Sequence, residues 1–208
     1  MQNRLTYDVV VIGGGLVGAS LALALRPLKL KVAVLEAQPP ELDAVPDAAV
    51  AHRWQPSFDA RSSALAWGTR QLYQRLGLWE AIAPHAYPIR HIEVSERGRL
   101  GTSHLTAAEQ QVEALGYVVP NTWLGQHLWC ALQASEVDLY TPCELQQLRF
   151  PSAEQAELEA QGPEGRFTLG ARLVILADGG RSGIKQQLGI VDDVHDYQQS
   201  ALIANLRL

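Results

Sequence analysis

The sequence is short of cysteine, of metal-binding spacings and of basic runs, and each shortage removes a class of function. Two cysteines, Cys130 and Cys143, occur among 208 residues. Two cannot make a disulfide framework; they fit a reducing compartment and read as small buried apolar residues. The six histidines (His52, His85, His91, His104, His127 and His195) fall nowhere at H-x-x-x-H spacing, and C-x-x-C is missing, so no metal centre is expected. G-x-S-x-G is absent, which leaves a hydrolase elbow unsupported. No basic run interrupts a chain of net charge −5 and pI about 5.7. Nucleic acid is therefore not expected as a partner. Residues 9–25 are too short and too glycine-rich for a membrane span and do not read as a signal peptide. Internal repeats and low-complexity tracts are lacking.

What is present begins at once. Val9-Val10-Val11-Ile12 is a β-branched run that reads as a buried strand. Gly13, Gly15 and Gly18 follow at G-x-G-x-x-G spacing, a helix pattern covers Leu16–Leu25, and residues 31–35 form a second apolar run ending at Glu36. These parts together predict a dinucleotide site. Gly13 would permit a tight turn, Gly15 a close approach to a pyrophosphate, and Gly18 close helix–strand packing. Leu16 and Val17 open the helix, whose free N–H groups would face the phosphates. Glu36 stands where a ribose hydroxyl needs an acceptor, with Ala37 beside it. A glycine-rich strand–helix turn in an ordinary α/β domain is the plainer alternative. A plain dehydrogenase is disfavoured because no Tyr-x-x-x-Lys occurs.

At 208 residues the chain is long enough for one large domain or two small ones, and its 47% hydrophobic content supports a sizeable core. Residues 37–58 hold Pro39, Pro40, Pro46 and Pro56 and read as a long loop, which the segment from Asp59 to Leu65 ends. Helices are expected over 69–76, with Gly77 as the stop, over 78–83, and over 124–134. Strands are expected over 89–95, 102–106 as its hairpin partner, 117–119 and 137–140. Residues 145–169 read as antiparallel strands turning at 162–165. A separate buried strand covers 172–177, and a last one 201–208. A strand at a terminus predicts that this chain is a fragment of something longer.

Three further signals carry chemistry. Asp178-Gly179 follows the 172–177 strand, where a carboxylate would face the ligand crevice of an open α/β sheet, although alone it could be a simple turn. Arg61 follows a loop and could hold phosphate oxygens in a two-pronged grip, or pair with Asp59 at the surface. Gln126, near a helix start, could bond a cofactor phosphate or simply face solvent. No catalytic residue can be named.

Taken in order, Gly13 to Gly18 with Glu36, Asp59-Ala60-Arg61-Ser62-Ser63-Ala64-Leu65, and Ala177-Asp178-Gly179-Gly180-Arg181-Ser182 resemble the single-component FAD aromatic hydroxylases of para-hydroxybenzoate hydroxylase fold. Within these the chain is similar to the ubiquinone-biosynthesis group, and residues 58–79, 94–98 and 125–128 resemble its 2-octaprenyl-6-methoxyphenol hydroxylase branch. The resemblance implies an α/β fold: a Rossmann-like FAD-binding parallel sheet, an antiparallel β-meander and part of a smaller substrate-binding β-sheet layer. It implies a first FAD-binding part at 1–84, a substrate-layer hairpin at 85–120, a second FAD-binding part at 121–190 and the start of the substrate sheet at 191–208. Gly13, Gly15 and Gly18 would hold the pyrophosphate and Glu36 the adenosine ribose. Arg61, Gln126, Asp178 and Gly179 match positions that meet the cofactor. Lys185 departs from a frequent arginine; it keeps the charge and loses the fork, which weakens any NADPH role there.

The activity implied is FAD-dependent hydroxylation of the ring of a polyprenylated phenol, using NAD(P)H and O2 through a flavin C4a-hydroperoxide. It would be carried out by an intact enzyme about twice this length, with the isolated fragment inactive. Implied partners are the phenol, O2 and other ubiquinone-biosynthesis proteins. The implied location is cytoplasmic, peripheral to the inner membrane. A different FAD-fold oxidoreductase, such as a reductase or halogenase, and a non-catalytic nucleotide-binding fragment are the alternatives.

Overall fold

A computed structural model describes residues 5–38, 40, 61–96, 98, 100–180 and 183–200. Along the chain the elements are β1 (Leu5–Ile12), α1 (Leu16–Leu25), β2 (Val32–Leu35), β3 (Ser62–Ala66), α2 (Trp67–Arg75), α3 (Trp79–Ile82), β4 (Tyr87–Ile89), β5 (His91–Ser95), β6 (Thr102–Thr106), β7 (Gly116–Pro120), α4 (Asn121–Gln133), β8 (Asp138–Tyr140), β9 (Glu144–Ser152), β10 (Gln155–Gly162), β11 (Gly165–Leu176) and α5 (Ile184–Gln187). The architecture is α/β with a parallel-containing sheet, as expected. Most of the 37–58 segment and the strand expected at 201–208 lie outside the described residues.

The chain divides into two units. The first takes in the described residues of 1–14, 30–38 and 138–208. Its six-stranded sheet has the order β8-β2-β1-β11-β10-β9. The first four strands are parallel, and β10 and β9 continue antiparallel. All four residues of β2 are buried, as is the stretch from Val9 to Ile12, so neither shows alternation. A strand covered on both faces has no polar side to display. By contrast Ala156, Leu158 and Ala160 of β10 alternate with half-buried polar residues, the pattern of a strand with one apolar face.

Two expected strands prove to be one. The arm that follows the 162–165 turn and the 172–177 strand are expected as distinct pieces, but β11 runs unbroken across Gly170, which pairs with Glu157 on one side and Thr6 on the other. The meander and the parallel sheet thus share this strand. Gly162 pairs with Gly165 around Pro163-Glu164, closing the expected turn. The core gathers Val10, Ile12, Ala33, Leu35, Leu145, Leu148, Leu158, Leu169 and Ile184. Cys143 is buried there, which pushes its thiol up to about 11.

One polar group is built into this core. The Tyr7 hydroxyl donates to Asp138 Oδ2 at 2.8 Å and lies 2.6 Å from the Tyr140 hydroxyl, linking β1 to β8 across β2. Burial first, then these two partners, raises the Tyr7 pKa far above the usual phenol range.

The second unit takes in residues 15–29 and the described residues of 39–137. It holds α1 to α4, a three-stranded antiparallel sheet β3-β7-β4 and a separate β5–β6 ribbon. Its buried residues include Ala19, Leu23, Tyr73, Trp79, Ile82, Trp123, Leu124, Leu128, Trp129 and Leu132. Trp123 Nε1 donates to the Ile82 carbonyl at 3.0 Å, so the buried indole is satisfied.

Three expectations are corrected in this unit. Residues 59–65 are expected to end the loop, but 62–65 join Ala66 in β3, because β7 supplies a full antiparallel partner from Ser62↔Pro120 to Ala66↔Gly116. The strand expected over 89–95 divides at Arg90, where the chain leaves β7 as partner and takes β6. Cys130, read as buried, is exposed. It sits on α4 between inward-facing Trp129 and Leu132, and the 100° step per residue turns it out.

Among the described residues no helix is long and apolar enough to cross a membrane, and no cluster of three or more His, Cys, Asp or Glu could hold a metal ion.

Candidate functional site: the carboxyl edge of the parallel sheet

Register brings the parallel strands to a common edge. Ile12 lies opposite Leu35 on one side and Leu176 on the other, and Leu35 lies opposite Tyr140. The ladder continues past the strand ends. Gly13 donates to the Leu35 carbonyl at 2.7 Å, Ala177 to that of Ile12 at 2.7 Å, and Glu36 to that of Tyr140 at 3.0 Å. Gly13, Glu36 and the Ala177–Asp178 peptide therefore emerge side by side. This is the edge at which open α/β sheets bind ligands.

Gly13 is required here twice over. Its φ is +101°, and a Cβ on it would lie 2.5 Å from the Ala177 carbonyl oxygen and 3.0 Å from Asp178 Cα. The sequence suggested only a tight turn at Gly13 and a second, separate motif at Asp178. The structure packs one against the other.

Glu36 is anchored rather than loose. Its Oε2 accepts from the Gly14 N–H at 2.6 Å and its Oε1 from the Gln38 N–H at 2.9 Å. Each carboxylate oxygen has a second lone pair, so the half-buried group can still accept from a ribose hydroxyl. Gly14, which sequence reasoning passed over, thus orients the acid by its backbone. Ala37 is exposed beside it. Asp178 Oδ1 accepts from the Gly180 N–H at 2.9 Å, closing a turn in which Gly179 and Gly180 have φ of +66° and +75°.

In the second unit, α1 starts with Gly15 as its N-cap, in extended conformation, with no side-chain cap and no acid in the first turn. Leu16 is half-buried, Val17 is 71% exposed, and Gly18 is buried. An uncapped, acid-free helix start leaves its donors and positive dipole end for an anion. Each by itself, an open helix start and an anchored carboxylate at a strand end are groups that a dinucleotide cofactor can use.

Arg61 and Gln126 also belong to the second unit. Arg61 precedes β3, is exposed, and its carbonyl accepts from the Asn121 N–H at 2.9 Å. Gln126 is half-buried on α4. Asn121 was also missed; it is 7% exposed and accepts from the Ser63 hydroxyl at 2.6 Å. An asparagine just after Pro120, three residues ahead of the helix expected over 124–134, was the available signal. Lys185 Nζ pairs with Asp192 at 3.1 Å.

Residues 6–205 match the family model described as FAD binding domain. The chain belongs to this family. It is 37% identical over its whole length to 3-demethoxyubiquinol 3-hydroxylase of Escherichia coli (strain K12), covering 50% of that protein. It is 30% identical over 97% of its length to the human mitochondrial ubiquinone biosynthesis monooxygenase COQ6, covering 43% of it. The chain thus spans about half the length of the curated relatives it matches. Among solved structures, the OxyS anhydrotetracycline hydroxylase from Streptomyces rimosus superposes with a TM-score of 0.69 at 22% identity, over 89% of this chain and 34% of that one. This last likeness concerns the fold. The FAD-binding family and the ubiquinone-biosynthesis relatives agree with the resemblance carried by the three motifs.

Proposed function

We propose that this chain carries the FAD-binding part of a monooxygenase that hydroxylates the ring of a polyprenylated phenol in ubiquinone biosynthesis, with NAD(P)H and O2 as co-substrates. The observation that carries the reading is the sheet edge where Gly13, the Gly14-bound Glu36 carboxylate and the Asp178 turn come together. In this reading Gly13, Gly15, Leu16, Val17 and Gly18 receive the pyrophosphate, and Glu36 with Ala37 receives the adenosine ribose. Arg61, Gln126, Asp178 and Gly179 add contacts to the rest of the cofactor. FAD, when bound, supplies the redox and oxygen-transfer chemistry. The protein's own task is to hold the cofactor and to keep water from the reacting centre. Residues 85–120 and 191–208 would then contribute to a substrate layer, with 1–84 and 121–190 forming the FAD-binding parts. A tailed phenol also calls for an apolar channel or for access from a membrane surface, so we place the protein in the cytoplasm, peripheral to the inner membrane.

The test is spectroscopic first. This chain and a longer form of the protein are purified, given FAD, and passed through gel filtration. Flavin absorbance that stays with the protein supports the reading. Substrate-dependent NAD(P)H oxidation with matching oxygen uptake by the longer form then establishes a monooxygenase, and product analysis fixes the ring position. NAD(P)H oxidation with no hydroxylated product would instead point to another flavin oxidoreductase. Neither form retaining flavin would overturn the proposal.

A further inference from the structure

Aromatic residues and Cys143 aside, Asn121 is the one buried polar or charged residue among those described, at 7% exposure. A buried amide is costly unless it is bonded, so its contacts indicate its work. Two of them land on the start of β3. The Asn121 backbone N–H, the first of α4, donates to the Arg61 carbonyl at 2.9 Å. Its side-chain Oδ1 accepts from the Ser63 hydroxyl at 2.6 Å. The two bonds straddle Ser62, which itself pairs with Pro120, the residue before Asn121.

This is more than a helix cap. Pro120 caps α4 without any side-chain bond, and the side-chain oxygen of the asparagine is engaged by the strand. The result is a fixed backbone at residues 61 and 63, and so a fixed origin for the Arg61 side chain. A guanidinium can grip a phosphate in two-pronged fashion only if its stem leaves the chain in the right direction.

We propose that Asn121, with Ser63, is a positioning residue for Arg61, holding the strand start from which the guanidinium meets a phosphate of FAD. The inference rests on the reading of Arg61 as a cofactor contact. In this proposal Asn121 acts through Arg61 rather than on the cofactor.

A double-mutant cycle tests it. FAD affinity is read by quenching of flavin fluorescence, and the melting temperature of the FAD-free chain is read separately. Arg61→Ala should weaken FAD about tenfold or more, and Asn121→Ala or Ser63→Ala about three- to tenfold. In the Arg61→Ala background, Asn121→Ala and Ser63→Ala should cost no further affinity, while each still lowers the melting temperature. Ser63→Thr, which keeps the hydroxyl, should retain parental affinity. Should Asn121→Ala fail to fold, the Ser63 variants complete the cycle alone. Affinity losses that simply add to that of Arg61→Ala overturn the positioning role and leave the flavin reading intact. A parent protein that binds no FAD overturns both.

Discussion

The β10 strand and the β5–β6 ribbon carry the same kind of sequence and end in opposite environments. β10 alternates Ala156, Leu158 and Ala160 with polar residues, and all three are buried. In the ribbon Ile92 and Val94 alternate with His91, Glu93 and Ser95, and Leu105 faces Ile92 across the pair. Here Ile92 is 39% exposed and Val94 63%. Alternation tells which residues share a face. It does not tell whether anything covers that face. β10 has strands on both sides and a core beneath it, whereas among the described residues β5 pairs only with β6.

The comparison predicts a ranked set of effects. Leu158→Ala in β10 removes a fully buried side chain and should cost about 2–5 kcal/mol, measured by urea denaturation. A cost below about 1 kcal/mol would mean that the meander is not part of the core. Gly13→Ala forces a side chain into positive φ and against the Ala177 carbonyl, and should destabilise by about 3 kcal/mol. If the same assay finds no change, the packing of the glycine turn on the Asp178 turn is wrong.

Tyr7→Phe is expected to cost about 1 kcal/mol near neutral pH, since it removes a buried donor and leaves Asp138 and Tyr140 to other partners. It also has a pH signature. The folded-state pKa of Tyr7 is raised above the ordinary 10.0. Its contribution is thus complete below that value and is lost as pH rises through the alkaline range. Stability of the parent should fall above pH 10 more steeply than that of Tyr7→Phe, as followed by circular dichroism melts. Equal slopes would remove Tyr7 from the core network. The smallest effect is expected from Val94→Thr in the ribbon, within about 0.5 kcal/mol. A loss comparable to that of Leu158→Ala would show that the ribbon face is covered after all.

Much of the fold was legible because its signals are local. The glycine spacing, α1 from Leu16 to Leu25, the Gly162–Gly165 turn and the ribbon partners all follow from short-range patterns, and the structure has each. What failed did so for long-range reasons. Ser62-Ser63-Ala64 has little strand character of its own, and β3 is a strand because β7 offers it a register. Cys130 looked like a core residue until the phase of α4 decided its direction.

The site divides in the same way. By itself the sequence determined the glycine turn, the acid at the end of β2 and the Asp178-Gly179 motif, since residue type and spacing are enough to specify a turn and a charge. Only the tertiary structure decided that Gly13 bears on the Ala177–Asp178 peptide, that Gly14 anchors Glu36, and that Asn121 clamps the start of β3. Glu36 and Gly14 stand 22 residues apart, and Gly13 and Ala177 far more. Parallel register and close packing join such residues, and both are properties of the folded sheet rather than of any window of sequence.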